Sequence, residues 1–206
     1  MWKALGACAL CVGALYTLGA TPHLSAKAPV MEAVEAAPAP APAPVPASDS
    51  RRAALANYLS DRYHVAPERA RVFVDEAHAA AEAFGVDPLL VLAVMAVESS
   101  FDPAARSGAG ATGLMQVVPR FHRDKLAAHG GEAALLDPRV NALVGTWILK
   151  DSLRQAGNLR AGLQRYAGWQ EDDEHRYASR VIAEKERLRR VNNHALTEAQ
   201  GGSNAS

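Results

Sequence analysis

Hydrophobic positions follow a helical period through most of the chain. From Pro67 to Phe84, apolar residues recur three or four positions apart, which predicts a helix with one buried face. Gly85 then supplies a stop, and Asp87 followed by Pro88 has the form of a helix start. The next helix contains nine apolar residues in succession, from Leu89 to Val97. That run is too short to cross a membrane and too apolar for the surface, so we expect a buried central helix.

The remaining pattern is also helical. Further helices are predicted at Ala53–Tyr58, Arg120–His129, Pro138–Gln155, Leu159–Tyr166 and Glu171–Arg190. No alternating pattern of convincing length indicates a strand. The sequence therefore predicts one all-α domain over residues 51–194, and the polar tail at 195–206 is expected to be disordered.

The first 50 residues differ from the rest in composition. Residues 1–26 combine Lys3, an apolar run and small residues before Thr21 and Lys27, which is typical of an export signal. The apolar run at 4–20 is nearly long enough to anchor the chain in a membrane, so cleavage and anchoring both stay open. Residues 27–50 alternate alanine with proline and predict a semi-rigid spacer.

Composition and charge exclude several classes of partner and cofactor. The 22 basic and 22 acidic residues cancel, which gives no electrostatic reason to bind nucleic acid. Both cysteines, Cys8 and Cys11, lie in the N-terminal apolar run, and no cysteine follows that could hold a metal. The seven histidines show no spacing typical of metal ligands. We therefore expect no metal and no cofactor.

Glu98 is the candidate catalytic residue. Pro103 limits the central helix, so Glu98 falls in or near its last turn. Burial and the negative end of the helix dipole both disfavour its anion and raise its pKa. A carboxyl that stays protonated near neutral pH is what the cleavage of a glycosidic bond requires. The glycine-rich run from Ser107 to Gly113 lets the backbone approach a ligand closely.

The motifs around Glu98 resemble those of the soluble lytic transglycosylase family, over roughly residues 86–184. The matching positions are Glu98-Ser99 after an apolar helix, Phe101-x-Pro103-x-Ala105-x-Ser107, Gly113-Leu114-Met115-Gln116 ahead of Pro119, Asp137-Pro138 with Asn141 and Gly145, and Tyr166 with the later Tyr177. The match departs at Tyr166, which follows Arg165 where the family has alanine and precedes Ala167 where it has asparagine.

The resemblance implies a goose-type lysozyme-like helical fold with a substrate cleft. It implies that Glu98 protonates the β-1,4 bond between N-acetylmuramic acid and N-acetylglucosamine in peptidoglycan. The same carboxylate then takes a proton from the C6 hydroxyl, and a 1,6-anhydro product forms without water. No cofactor is needed, and no second carboxylate belongs to the matched motif. The implied substrate is the peptidoglycan strand. The export signal at 1–26 indicates the periplasm as the setting, and we expect a monomer.

The resemblance also assigns supporting roles around the acid. Ser107 and Tyr166 are expected to hydrogen-bond in the catalytic site, Met115 and Gln116 to line the cleft, and Gly113 to allow close backbone approach. Ser99 accompanies Glu98 as an orienting residue. Trp169 is a candidate for stacking on a sugar face.

Two rival functions stay open on the sequence alone. The first is a muramidase of the same fold that uses water. The second is a catalytically silent glycan-binding module of an envelope-spanning machine, which would be a partner of the chain. Whether cleavage is at strand ends or within strands is not fixed by the sequence.

Overall fold

The structure, a computed structural model, describes residues 46–168 and 176–203. The export signal at 1–26, most of the spacer at 27–50, and Trp169 lie outside the described residues. Within the described ranges, no helix is long and apolar enough to cross a membrane.

Seven α-helices are present in the described residues, with two short 3₁₀ turns at Pro119–Phe121 and Glu132–Leu136. The helices are α1 (Ala47–Tyr63), α2 (Pro67–Phe84), α3 (Pro88–Ser99), α4 (Arg123–Ala127), α5 (Pro138–Ala156), α6 (Leu159–Tyr166) and α7 (Arg176–Ser203). Between residues 46 and 168, β-structure is limited to isolated bridges that join Thr112 to Arg106 and to Val117. The prediction of an all-α domain is confirmed.

Local sequence signals set the ends of the central helices. Asp87 caps α3, since its carboxylate accepts a hydrogen bond from the Leu89 amide at 2.9 Å. Gly85 ends α2 in the left-handed conformation, with φ of 62°. The predicted bounds of α2 and α6 agree with the structure because both helices have clear start and stop residues.

The N-terminal helix and the segment after Pro119 differ from expectation. α1 is longer than predicted and includes residues 47–50, which the sequence had assigned to the spacer. Its fully buried Leu55 and Leu59 pack into the core, and tertiary contact extends the helix beyond its weak local pattern. The helix predicted at Arg120–His129 is wrong as a continuous element, because a 3₁₀ turn precedes the short α4.

The C-terminal end also differs from the prediction. The tail from Ala195 was expected to be disordered, but α7 continues to Ser203. Ala195 is itself 7% exposed, so the helix still packs against the domain at that point. The expectation of disorder is therefore wrong for residues 195–203.

Helix α3 lies at the centre of the domain, in contact with α2 and α7. Its residues from Leu90 to Ala96 are all buried. α1 packs on α2 and α7, while α5 packs on α2 and α6. This enclosure explains the uninterrupted apolar run, since no face of α3 meets water between Leu90 and Ala96. The C-terminal end of α3, with Glu98, lies between α7 and the loop at 100–118.

Candidate active site

The Glu98 carboxyl lies in the last turn of α3, in a partly buried position. The Tyr177 hydroxyl, from α7, donates a hydrogen bond to Glu98 Oε1 at 2.6 Å. Burial raises the pKa of Glu98 to about 7, although the Tyr177 hydrogen bond and the positive charge of Arg180 both act to lower it. The carboxyl is therefore able to give up and to take back a proton near neutral pH.

The chain turns away from α3 through two residues in the left-handed region. Ser100 has φ of 52° and Phe101 has φ of 65°, which is uncommon for residues with side chains. Phe101 is buried and packs edge-on against Tyr63, with ring centroids 5.0 Å apart. The packing of Phe101 stabilises this strained turn. The helix thus ends at Ser99, before Pro103 has any part in stopping it.

Ser99 joins the end of α3 to the loop that follows the glycine-rich run. Its hydroxyl is 2.8 Å from the carbonyl oxygen of Leu114 and 3.2 Å from that of Met95. These are contacts with the backbone, so Ser99 fixes the loop at 113–116 beside Glu98. A supporting role for Ser99 is consistent with this geometry.

Gly113 meets the protein rather than an open cleft. A Cβ atom built on Gly113 would be 2.5 Å from the carbonyl oxygen of Leu135 and closer still to the Asn141 amide. Asn141 is fully buried, donates to the Leu135 carbonyl at 2.8 Å and accepts from the Met115 amide at 2.8 Å. The close approach expected at Gly113 is therefore real, but its partner is the Asn141 side chain.

Met115 does not line the cleft, which corrects the prediction from the sequence. Its side chain is fully buried and packs against Gly145, where a Cβ atom would come within 2.6 Å of Sδ. The neighbouring Gln116, with φ of 48°, does border the cleft. Gln116 Nε2 donates to the Gly113 carbonyl at 3.0 Å, which holds the turn in place. The side chains of these two neighbouring residues point in different directions, so Met115 enters the core and Gln116 faces the cleft.

Two tyrosines flank the acid, and the structure assigns them different bonds. The Tyr166 hydroxyl, which was expected to bond the carboxyl, donates instead to the Met115 carbonyl at 2.7 Å. Burial is the larger cause that raises the pKa of Tyr166, and the negative charge of Glu98 adds to it. Tyr166 is therefore close enough to interact electrostatically with the acid. Tyr177 makes the direct bond to Glu98. Sequence reasoning included Tyr177 in the motif but gave it no role.

Ser107 organises the glycine-rich turn. Its hydroxyl accepts a hydrogen bond from the Ala111 amide at 3.0 Å, and its own amide donates to the Ala111 carbonyl at 3.0 Å. Ser107 is exposed and is not hydrogen-bonded to Glu98. Its expected bond within the catalytic site is absent from this structure, and its hydroxyl shapes the loop instead.

A cleft of about 600 Å³ adjoins the acid. Its lining includes Gln116, Phe121, Arg165 and Tyr166, while Glu98 itself is not part of the wall. Tyr166 borders the cleft and senses the charge of Glu98, so the two features are neighbours. The volume is in the range of small-ligand sites.

Other carboxylates in the described residues do not join Glu98. No carboxylate there acts on its charge. Asp102 accepts a hydrogen bond from the Ala104 amide at 2.9 Å, which is the turn role expected for it. Within the described ranges, no group of three histidine, cysteine or acidic residues is placed to hold a metal ion.

An all-helical domain whose carboxylic acid of raised pKa, Glu98, lies near an open cleft is of the lysozyme-like class. The family model described as "Transglycosylase SLT domain" matches residues 75–179. The chain belongs to this family, and the suspected resemblance to soluble lytic transglycosylases is confirmed.

Two curated relatives illustrate the match and carry the same name. A protein of Mannheimia succiniciproducens called "Membrane-bound lytic murein transglycosylase C" is 41% identical over 108 residues, which cover 48% of this chain and 30% of the relative. A protein of the same name from Haemophilus influenzae is 42% identical over 92 residues, covering 40% of this chain and 26% of the relative. The chain thus spans less than a third of the length of these relatives.

Solved structures agree on the fold. The 70 kDa soluble lytic transglycosylase of Escherichia coli matches with a TM-score of 0.53 and 19% identity, over 69% of this chain and 28% of that one. An inactive mutant of the lytic transglycosylase Slt from Pseudomonas aeruginosa matches with a TM-score of 0.50 and 24% identity, over 58% and 24%. The helical lysozyme-like fold is therefore shared with these enzymes.

Proposed function

We propose that the chain is a lytic transglycosylase that cleaves peptidoglycan between N-acetylmuramic acid and N-acetylglucosamine, with Glu98 as its acid and base. The observation that carries this proposal is the Glu98 carboxyl itself. Burial raises its pKa to about 7, and the Tyr177 hydroxyl donates a hydrogen bond to its Oε1 at 2.6 Å. A carboxyl of ordinary pKa would be ionised at neutral pH and could not protonate a leaving group.

One carboxyl serves both steps of the proposed reaction. Glu98 gives its proton to the glycosidic oxygen as the bond from that oxygen to C1 of the muramyl sugar breaks. The resulting carboxylate removes the proton of the C6 hydroxyl, and O6 bonds to C1 to close the 1,6-anhydro ring. Glu98 ends protonated, and no water is consumed. A pKa near the working pH suits both transfers.

The surroundings of Glu98 support a lyase over a muramidase. Hydrolases of this kind generally use a second carboxylate, about 5 Å away for retention or about 6.5 to 9.5 Å away for inversion. Among the described residues, no carboxylate influences Glu98, and Asp102 is engaged in a turn. The relatives that match the chain are also named as transglycosylases.

We further propose that the chain works in the bacterial periplasm as a monomer. The apolar run at 4–20 would direct export and then be removed or kept as a membrane anchor. The spacer would let an anchored domain reach into the peptidoglycan mesh, and an envelope-spanning machine is a candidate partner. Relatives named as membrane-bound support a setting at the cell envelope.

The test is the product profile of the purified full chain on intact peptidoglycan. Mass spectrometry should find 1,6-anhydro-muramyl ends, each lighter by one water than a reducing end. Reducing ends alone would replace the proposal with the muramidase. A chain that binds peptidoglycan without releasing any fragment would be the silent glycan-binding module. The Glu98→Gln variant serves as the control for contaminating activity.

A further inference from the structure

The cleft beside Glu98 presents an exposed aromatic ring. Phe121 is 67% exposed, more than any other large hydrophobic residue of the described core and surface. Its ring lines the cleft of about 600 Å³ together with Gln116 and Tyr166. A single exposed apolar residue on a flat surface means little, but an aromatic ring in a cleft next to an acid offers a stacking surface.

Phe121 is held in place by its neighbours. It ends the 3₁₀ turn that begins at Pro119. The Arg120 guanidinium lies 4.5 Å from the centre of the Phe121 ring and donates a hydrogen bond to the Ala109 carbonyl at 2.6 Å. Arg120 thereby covers one face of the ring and ties the turn to the glycine-rich loop. A flat apolar surface is left that is both fixed and open.

Arg165 brings a positive charge to the same cleft. Its guanidinium donates to Gln155 Oε1 at 2.6 Å, and Gln155 is neutral. Lys125, which also lines the cleft, is paired with Asp151 at 3.1 Å. Within the described residues, no carboxylate is in ion-pair contact with Arg165, so most of its donors are open to a ligand.

We propose that this cleft binds a peptide-bearing sugar unit next to the cleaved bond, with Phe121 stacked on the sugar and Arg165 paired with a carboxylate of the peptide stem. The proposal rests on the proposed function, because it takes peptidoglycan as the ligand. Sugar rings have an apolar face formed by C–H bonds, and peptide stems carry free carboxylates. A guanidinium recognises a carboxylate through two parallel hydrogen bonds, which an amide cannot reproduce.

The test compares two forms of one substrate, glycan strands with their peptides and strands stripped of them by an amidase. Binding is measured by calorimetry on full-length Glu98→Gln protein, so that neither ligand is consumed. Arg165→Gln should weaken binding of peptide-bearing strands about five- to tenfold and leave stripped strands unchanged. Phe121→Ala should weaken both about fivefold, while Phe121→Tyr keeps the stacking surface and the affinity.

Matched controls separate the cleft from general effects of charge. Arg189→Gln removes an exposed α7 arginine that pairs with Glu186 and is not part of the cleft wall, and it should change neither affinity. An equal loss for both strand types in Arg165→Gln, or no loss at all, overturns the peptide-binding role. Unchanged affinity in Phe121→Ala overturns the sugar-stacking role.

The outcome is distinguishable from failure of the proposed function. If wild-type protein releases no fragments but binds strands with the predicted dependence on Arg165, the subsite stands and the catalytic proposal falls. If wild-type protein cleaves strands without preference and Arg165→Gln changes nothing, the catalytic proposal stands and the subsite falls.

Discussion

Two glutamates in this domain have tyrosine hydroxyls as partners, yet their acidities move in opposite directions. Glu98 on α3 accepts from Tyr177 at 2.6 Å, and burial raises its pKa to about 7. Glu184 on α7 accepts from Tyr58 at 2.8 Å and is 3% exposed. Burial also acts to raise the pKa of Glu184, but hydrogen bonds from tyrosines and an arginine lower it below the usual value.

The two sites differ in how many groups stabilise the anion: hydrogen bonds from Tyr63 and Tyr58 lower the pKa of Glu184 most, and two arginines add to them. The Arg187 guanidinium is 2.6 Å from Glu184 Oε2, and Arg62 is 3.7 Å from Oε1. Glu98 has no such ion pair in the described residues and senses Arg180 only through its field. Burial with several hydroxyl and guanidinium donors keeps a carboxylate ionised, whereas burial with a single hydroxyl leaves a carboxyl that holds its proton near neutral pH. We therefore interpret Glu184 as a link between α1 and α7.

The largest expected effect follows from removing the proton of Glu98. Glu98→Gln should lower the rate of peptidoglycan cleavage about a thousandfold or more while the fold stays intact. A rise in pKa from 4.5 to about 7 also means that ionising the buried carboxyl opposes folding by about 3 kcal/mol. The variant should therefore be more stable than wild type above pH 7.

The sign of this effect can be checked across pH. Below about pH 4.5, the carboxyl is protonated in both the folded and the unfolded chain, so the advantage of Glu98→Gln should vanish. It should grow as pH rises towards 7. Denaturant unfolding at several pH values measures the difference in stability between the variant and wild type. If that difference is the same at every pH, the Glu98 carboxyl is not buried without a charged partner.

The next effect concerns Glu184 and runs the other way. Glu184→Gln should destabilise the fold by about 1–3 kcal/mol at neutral pH, because two arginines lose a buried partner. Since the pKa of Glu184 is lowered, the stabilisation is present above the ordinary pKa and is lost as pH falls through the folded value. The gap between variant and wild type should close in acid.

Glu186 provides the control for this prediction. It pairs with Arg189 at 2.6 Å on the same helix, but its side chain is 41% exposed. Glu186→Gln should therefore change stability by less than about 0.5 kcal/mol. Similar losses for both glutamate variants would mean that burial has no part in the contribution of Glu184.

A third comparison separates the two tyrosines. Tyr177→Phe removes the hydrogen bond that lowers the pKa of Glu98, so the alkaline limb of activity should move upward. The rate should fall about tenfold or more, because a charged carboxylate loses its orienting donor. Tyr166→Phe should chiefly reduce stability, by about 1–2 kcal/mol, since the Met115 carbonyl loses its partner. The reverse assignment would show that Tyr166 holds the acid.

The smallest effect is expected at Arg180. Its charge lowers the pKa of Glu98, so Arg180→Gln should move the alkaline limb upward, by less than Tyr177→Phe does. The rate at the optimum should change by less than about fivefold, because Arg180 is exposed. Profiles of rate against pH for the two variants give the order. A downward shift would contradict the electrostatic account of Glu98.

The fold followed from the sequence where local signals and tertiary packing agree. The apolar run of α3, with Asp87 and Pro88 at its start, predicted both its burial and the position of Glu98. The length of α1 could not be predicted, because residues 47–50 carry no hydrophobic pattern, and α1 is held by the packing of the buried Leu55 and Leu59 further along the helix. Composition alone does not report such contacts.

The sequence predicted the catalytic acid of the candidate site but not the hydrogen bonds around it. The acid was identified because the motifs around Glu98 resemble those of the family, and its place at the end of an apolar helix supplied the physical reason for a raised pKa. Which hydroxyl reaches the carboxyl depends on the packing of α6 and α7 around α3, and the structure favours Tyr177 over Tyr166. Met115 and Gln116 are adjacent in sequence, but only backbone geometry decides that Met115 enters the core.

The most direct test of the central claim is a titration of the Glu98 carboxyl by carbon NMR on the full chain, with Glu98→Gln used to assign the signal. The account predicts a midpoint at about pH 7, set by burial without a contacting cation. The Glu184 signal should titrate well below it, in the acid range. A Glu98 midpoint near its ordinary 4.5 would contradict the account, because the group would then be ionised when the glycosidic bond needs its proton.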